Sequence, residues 1–229
     1  MIRILFQGDS ITDGNRLKPV ESRWDLNHQI GHSYVYPIVG KLGFLYPGKY
    51  AFINRGISGD TVDRAAARWQ KDTLDENPDI LSILLGINGC GQRDGVFEEG
   101  AEENFRNFNE VYRSLLTKAR DHNPQLKLIL IEPFLLPVTE HLRAHYETFL
   151  PHFRRRQEAV RRIADDFGAV FVPIQKELEE LAARTAPTLL ENGCTTAPYA
   201  YWLWDGVHPT EPLHWFIAEK WLEAARDIL

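Results

Sequence analysis

The sequence predicts an α/β fold, a three-layer α/β/α sandwich built on a mostly parallel, doubly wound sheet of five strands. Short apolar segments of strand length alternate along the chain with longer segments in which apolar residues recur at helical spacing. Because right-handed crossovers join consecutive parallel strands, each connecting helix must lie on a face of the sheet. We therefore expect a flavodoxin-like arrangement. The predicted strands cover residues 2–6, 50–54, 79–85, 126–131 and 169–172.

Helices are predicted between and after these strands. The clearest covers 102–122, where Phe105, Phe108, Tyr112 and Leu116 recur at helical spacing before Asn-Pro ends the pattern. The same criteria predict helices over 33–45, 61–74, 153–167, 175–184 and 212–229.

Three segments lack such a period. Residues 15–32 are expected to form a long irregular connection, and long loops at the edge of a sheet commonly carry function. Residues 132–151 contain three prolines and predict a rim loop or a short irregular helix. Residues 185–201 are expected to form a loop.

Composition limits the possible functions. A chain of 229 residues with one visible pattern favours a single domain over 1–229. No apolar run is long enough to span a bilayer, which argues against membrane insertion. The net charge of −6 argues against a nucleic-acid partner. The basic run 154–156, followed by Arg161 and Arg162, is interpreted as a solvated or subunit-facing surface, so a homo-oligomer stays open.

A serine, an aspartate and a histidine stand where a serine nucleophile could be assembled. Ser10 follows the first strand, whose carboxyl end lies at the edge where open α/β sheets keep their ligands. Asp205 and His208 precede the last helix, and their three-residue spacing lets both side chains project from one turn. A serine becomes nucleophilic when an oriented imidazole takes its proton. Taken singly, Ser10 could cap a helix, and Asp-x-x-His could be a turn beside a surface histidine.

Four sequence blocks, in this order, resemble the GDSL (SGNH) family of serine esterases and acylhydrolases. They are Gly-Asp-Ser-Ile-Thr-Asp at 8–13, Asn-Arg-Gly-Ile-Ser-Gly-Asp at 54–60, Gly-Ile-Asn-Gly at 86–89 and Trp-Asp-Gly-Val-His-Pro at 204–209. The resemblance covers nearly the whole chain. It implies a triad in which Ser10 is the nucleophile, His208 the base and Asp205 the residue that orients the base. An acyl-enzyme intermediate would then form on Ser10.

The resemblance also implies an oxyanion hole formed by the backbone N–H groups of Ser10 and Gly59 and by the side-chain amide of Asn88. A glycine suits this task because it lets a substrate approach the main chain closely. One departure stands out, since the family usually has an aspartate directly after the asparagine, where Gly89 stands here. That aspartate is generally not catalytic, so its loss puts the stiffness of the loop in question more than the chemistry.

Within the family, the chain resembles small carbohydrate acetylesterases, including acetylxylan esterases. Aromatic rings crowd the segment before Asp205 and offer flat faces for sugar rings. Asp9, Trp24, Tyr201 and Trp204 are the candidate substrate-binding residues, although the aromatic residues could equally pack against the protein. An acetylated sugar or oligosaccharide is the expected substrate. The alternatives are a thioesterase or lysophospholipase, and a non-catalytic carbohydrate-binding protein of the same fold.

Neither a cofactor nor a metal is expected. The two cysteines, Cys90 and Cys194, are far apart and have no metal-ligand spacing, which fits a reducing compartment. The candidate nucleophile stands at position 10, so a leader peptide before it has no room. A cytoplasmic location is therefore expected.

Overall fold

An all-parallel sheet of five strands forms the centre of the protein, in a computed structural model that describes residues 1–17, 29–90, 92–93, 96–97, 101–194 and 197–229. Its strands are β1 (Ile2–Gly8), β2 (Tyr50–Asn54), β3 (Ile80–Leu84), β6 (Lys127–Ile131) and β7 (Val170–Val172); β4 (Gln92–Arg93) and β5 (Val96–Phe97) form a separate antiparallel hairpin. The order across the large sheet is β2-β1-β3-β6-β7. Counted within that sheet alone, this is the 2-1-3-4-5 order of flavodoxin-like folds.

Helices cover both faces of the sheet, which confirms the predicted three-layer fold. They are α1 (Ser10–Asp13), α2 (Val35–Leu45), α3 (Val62–Ala67), α4 (Ala101–His122), α5 (Glu140–Phe167), α6 (Gln175–Glu191) and α7 (Glu211–Ala224). Shorter turns are π-helical at Gln70–Leu74 and 3-10 at Pro198–Tyr201 and Arg226–Ile228. Of the helices in the described ranges, none is both long and apolar enough to cross a membrane.

Two hydrophobic cores lie on opposite faces of the sheet because side chains alternate along each strand. In β1, Ile4 and Phe6 belong to the core under α2, α6 and α7, whereas Leu5 belongs to the core under α3, α4 and α5. Among the described residues, Trp221 of α7 is the largest fully buried side chain, and its indole N–H donates to Ser82 Oγ at 2.9 Å. This bond removes the cost of burying an unpaired donor.

Two predictions for segments that contain proline were wrong. Residues 140–151, expected in a rim loop or short irregular helix, belong to α5, which continues through Pro151. Residues 185–191, expected in a loop, belong to α6, which continues through Pro187. An interior proline removes one helical hydrogen bond, but burial can outweigh that loss. In α5 the buried face includes Leu142, Phe149 and Phe153.

Two smaller predictions also need correction. The helix predicted over 61–74 is α3 followed by the π-helical turn, with a break at Arg68, whose φ is −113°. The basic run 154–156 is not one solvated surface. Arg154 is exposed and Arg155 is half-buried and pairs with Glu102 at 2.7 Å, whereas the side chain of Arg156 is turned into the protein and is buried.

Candidate active site

Ser10 lies at the carboxyl end of β1, beside the point where the chain order of the sheet reverses between β1 and β3. It is the first residue of α1, and Asp9 caps that helix by accepting a hydrogen bond from the Ile11 N–H at 3.0 Å. The Ser10 Oγ lies 2.8 Å from Nε2 of His208. Ser10 and His208 are 198 positions apart in the sequence, and the fold brings them into hydrogen-bonding contact.

His208 and Asp205 lie in one tight turn ahead of α7. One carboxylate oxygen of Asp205 accepts the backbone N–H groups of Val207 and His208, at 2.9 and 2.7 Å. The other lies 2.7 Å from Nδ1 of His208. Because an ionised carboxylate only accepts, Nδ1 carries the proton and Nε2 is left as the acceptor that faces Ser10.

The hydrogen bonds also set the charge of Asp205. Burial favours its protonated form, but the hydrogen bonds from the backbone and the imidazole of His208 outweigh burial and hold the pKa of Asp205 below its usual range. The carboxylate is therefore ionised at neutral pH. It can hold the imidazole in one orientation and stabilise a positive charge on the ring.

The two other blocks form loops beside Ser10 that are hydrogen-bonded to each other. Gly59 has a φ of +80°, a conformation that residues with a Cβ rarely adopt. The Asn88 Nδ2 donates to the carbonyl of Asp60 at 3.1 Å, which joins the Asn88 loop to the Gly59 loop. Ser58 N–H donates to the Asp13 carboxylate at 3.0 Å, which ties the Gly59 loop to α1.

A partly buried arginine, Arg68, contacts the Gly59 loop from the side of α3. Arg68 pairs with the Asp60 carboxylate at 2.6 Å and donates to the Arg55 carbonyl at 2.8 Å. Asp60 is itself buried. Removing Arg68 would leave the buried charge of Asp60 without its partner, so the pair holds the backbone around Gly59 in one place.

A cleft of about 1100 Å³ opens beside Ser10 and His208. Trp204 lines it and stacks on the His208 ring, with the ring centroids 5.4 Å apart. Aromatic residues on α2 and α7 extend the lining, and three of them are largely exposed. These are Tyr36, Phe44 and Trp215.

The other candidate substrate-binding residues have different positions. Asp9 is buried, because its carboxylate turns inward to cap α1, and it is not among the described residues that line the cleft. Tyr201 is also outside that lining, and its ring contacts Trp202. Trp24 lies outside the residues that the structure describes.

Some residues that line the cleft were missed in the sequence. Tyr36 and Phe44 recur at helical spacing on α2, a signal that would have placed both on one face. His214 of α7 also lines the cleft, and burial lowers its pKa to about 4, so its ring is neutral at pH 7. Within the described ranges, no group of three or more His, Cys, Asp or Glu residues could hold a metal ion.

Comparison with known proteins gives the class of the protein. Residues 6–215 match the model of the GDSL-like lipase/acylhydrolase family. The acetylxylan esterase of Geobacillus stearothermophilus is 32% identical over 223 residues, covering 96% of this chain and 92% of that protein.

Solved structures agree. A protein from Parabacteroides merdae described as a GDSL-like lipase superposes with a TM-score of 0.79 at 30% identity, over 98% of this chain and 95% of that one. Axe2, an acetylxylan esterase from Geobacillus stearothermophilus, gives 0.73 at 30% identity, over 97% and 93%.

The fold and these relatives define a carboxylic ester hydrolase rather than a non-catalytic binding protein. The chain belongs to the GDSL-like lipase/acylhydrolase family.

Proposed function

We propose that the protein is a serine esterase that hydrolyses acetyl esters of carbohydrates through a Ser10-His208-Asp205 triad and an acyl-enzyme intermediate. The observation that carries this proposal is the unbroken series of hydrogen bonds, 2.8 Å from Ser10 Oγ to Nε2 and 2.7 Å from Nδ1 to Asp205. Three matched structures are of catalytic mutants of Axe2, in which a serine, an aspartate and a histidine are each replaced by alanine. That aspartate and histidine are three positions apart, as Asp205 and His208 are.

In the first half of the reaction, the Ser10 hydroxyl gives its proton to Nε2 of His208 while Oγ bonds to the ester carbonyl carbon. The carbonyl oxygen becomes an oxyanion, which accepts hydrogen bonds from the N–H groups of Ser10 and Gly59 and from the Asn88 amide. The bond to the alcohol then breaks. The leaving oxygen takes the proton from His208, and the acyl group stays on Ser10.

The second half releases the acid. A water molecule gives a proton to His208 and attacks the acyl carbon, again forming an oxyanion in the same place. The bond to Ser10 Oγ breaks, the serine recovers its proton from His208, and a carboxylic acid leaves. Ionised Asp205 stabilises the imidazolium that appears in both halves.

The cleft supports a carbohydrate as the alcohol portion of the substrate. Its aromatic residues offer flat apolar faces, and Trp204 and Trp215 are 61% and 60% exposed. Exposed aromatic faces in a cleft of this size suit a sugar ring or a short oligosaccharide.

A thioesterase or lysophospholipase activity is the second candidate. Phe44 of α2 is 81% exposed and lines the same cleft, which adds apolar surface that the neighbouring loops do not have. Such a surface could receive an acyl chain as well as a sugar. The length of the preferred acyl chain separates the two candidates.

The triad is tested with Ser10→Ala, His208→Ala and the double variant, assayed with p-nitrophenyl acetate. Each single change should lower kcat by at least about 10³-fold, and the double variant should be little worse, because the members of a triad act as a unit. A fluorophosphonate should label Ser10 in the wild type and leave Ser10→Ala unlabelled. The triad would be contradicted if the double variant lost activity by the product of the two single losses. It would also be contradicted if the fluorophosphonate labelled another serine.

The matched controls are Ser114→Ala and His122→Ala, which change the same residue types at exposed positions on α4. Both should keep the wild-type kcat and the wild-type stoichiometry of labelling.

A further inference from the structure

Arg156 of α5 is buried behind the loop that carries Asn88. Only 3% of the residue is exposed, and burial lowers the pKa of its guanidinium. Its hydrogen-bond partners within the described ranges are neutral oxygens, with no carboxylate among them. A buried charge without an ion pair is costly, so its contacts need an explanation.

These contacts converge on one loop. Nη1 donates to the carbonyls of Gly86 and Asn88, each at 2.9 Å, and Nη2 donates to the carbonyl of Gly89. Nη2 also donates to the Asn104 side chain at 2.5 Å. Three carbonyls within four residues and the Asn104 side chain are thus held by one planar group, and these four acceptors exceed the three donors of a lysine ammonium.

The guanidinium is itself held in place. Its central carbon lies 4.6 Å from the ring centroid of Phe108 on α4. This cation-π contact fixes the plane of the donors, so the carbonyls are anchored to a packed pair of helices. Arg156 therefore acts as a rigid support beneath the loop.

The loop needs such a support. Gly89 has a φ of +66°, and a Cβ there would come within 2.9 Å of Thr61 Cγ2. The aspartate that the family usually has at this position would therefore strain the backbone here. A cavity of about 70 Å³, lined by Asn88 and Arg156 among others, lies next to the loop and would give it room to shift if the guanidinium were absent.

We propose that Arg156 is a positioning residue that holds the Asn88 amide at the oxyanion, in a loop that lacks the family's usual aspartate. The inference rests on the proposed role of Asn88. Arg156 fixes the backbone of Asn88 on one side, and the bond from Asn88 Nδ2 to the Asp60 carbonyl fixes the amide on the other. Arg156 does not touch the substrate and acts through Asn88 alone.

The test is a double-mutant cycle of Arg156→Met with Asn88→Ala, using p-nitrophenyl acetate and concentrations normalised to fluorophosphonate labelling at completion. Asn88→Ala should lower kcat by about 10²- to 10³-fold. Arg156→Met should lower kcat by about 10- to 100-fold with KM within about twofold, because a displaced donor harms the transition state more than substrate binding. In the Asn88→Ala background, Arg156→Met should cause no further loss of kcat.

Arg156→Lys provides a second variant in case Arg156→Met does not fold. Lysine keeps the charge but cannot reach three carbonyls from one plane, so kcat should fall between the wild-type and Arg156→Met values. The matched control is Arg120→Met, which removes a partly buried guanidinium that donates to the Phe167 carbonyl at the other end of α4. It should lower Tm and leave kcat unchanged.

Two results would overturn the positioning role while leaving the triad intact. One is an Arg156 variant that loses the same factor of kcat with and without Asn88. The other is a variant that lowers Tm but keeps the wild-type kcat. An Asn88→Ala enzyme with normal kcat would remove the oxyanion role of Asn88, and this inference with it.

Discussion

At the residue scale, the buried carboxyl of Asp9 affects the stability of the folded protein. It is 1% exposed, and one of its oxygens is buried and has no hydrogen-bond partner among the residues that the structure describes. Burial is the main cause that raises its pKa from 3.8 to about 7, opposed by the Ile11 N–H and by His208. The folded state thus holds a proton on Asp9 that the unfolded chain has already released at the same pH. Ionisation of Asp9 therefore works against folding.

This predicts a pH-dependent stability difference. Because the folded pKa is the higher one, Asp9 costs the protein stability progressively as pH rises from about 4 to about 7, by an amount on the order of 4 kcal/mol. Asp9→Asn removes the charge and should increase the free energy of unfolding relative to wild type at pH 8 but not at pH 4. Urea unfolding at both values measures this.

The control is Asp165→Asn, the same exchange at an exposed position on α5. The difference in the free energy of unfolding between Asp165→Asn and wild type should be the same at pH 4 and pH 8. A gain by Asp9→Asn that was equal at pH 4 and pH 8 would show that ionisation is not the cause.

A site residue can be predicted from the sequence when the residues next to it in the chain identify it, and not when only the packing of distant elements places it. Ser10, Asp205 and His208 were singled out because they lie in sequence blocks that together resemble one family, since a strand-end serine or an Asp-x-x-His pair alone has a plainer interpretation. Arg156 could not, because three consecutive arginines indicate a solvated surface, and only the packing of α5 on α4 turns one of them inward. The aromatic lining contributed by α2 was likewise missed, since it depends on how two distant helices border one cleft.

At the scale of elements, the five strands of the large sheet were predictable, whereas the hairpin of β4 and β5 and the course of α5 and α6 through their interior prolines were not. Each strand of the large sheet is a short apolar run, and burial on both faces enforces the pattern locally. The course of α5 through Pro151 is decided elsewhere, by Phe149 and Phe153 packing in a cluster that includes Leu135 and Cys90. A local pattern cannot contain that information.

We therefore expect Pro151 to lower the stability of the folded protein by a measurable amount. Pro151→Ala should restore the missing helical hydrogen bond and increase the free energy of unfolding, by up to about 3 kcal/mol. The matched control is Pro212→Ala in the first turn of α7, where the missing N–H costs little. Its stability should be unchanged or slightly lower, and an equal gain at both positions would rule out the helix-interior explanation. Thermal and urea unfolding measure both variants.

At the scale of the whole molecule, we expect the cleft lined by α2, α7 and the Asp205–His208 turn to decide which ester is cleaved. A long acyl chain gains about 0.8 kcal/mol for each CH₂ only where a dry apolar surface receives it. The cleft is open and mixes aromatic rings with polar groups such as Ser33, Lys41 and Glu211. It suits a small acyl group and a bulky polar alcohol better than a lipid.

We therefore expect p-nitrophenyl acetate to be cleaved with a higher kcat/KM than the butyrate, and the octanoate to be nearly inert. Acetate should also be released from acetylated xylo-oligosaccharides. Initial rates across the acyl series measure the preference, with the Ser10→Ala enzyme as the blank. A rate that climbs with chain length would favour the thioesterase or lysophospholipase alternative and leave the triad standing.

The hydrogen bond between Ser10 and His208 closes a loop of 198 residues. Closing so long a loop is entropically unfavourable until the intervening layers have packed, so we expect this contact to form late in folding. The turn of His208 is itself held by distant backbone, through the bond from the Leu136 N–H to the Gly206 carbonyl at 2.9 Å. If the proposed triad is right, a chain still emerging from the ribosome has Ser10 but not yet His208, the base that would activate it. We therefore expect esterase activity to appear only after the chain has been synthesised through His208 and has folded.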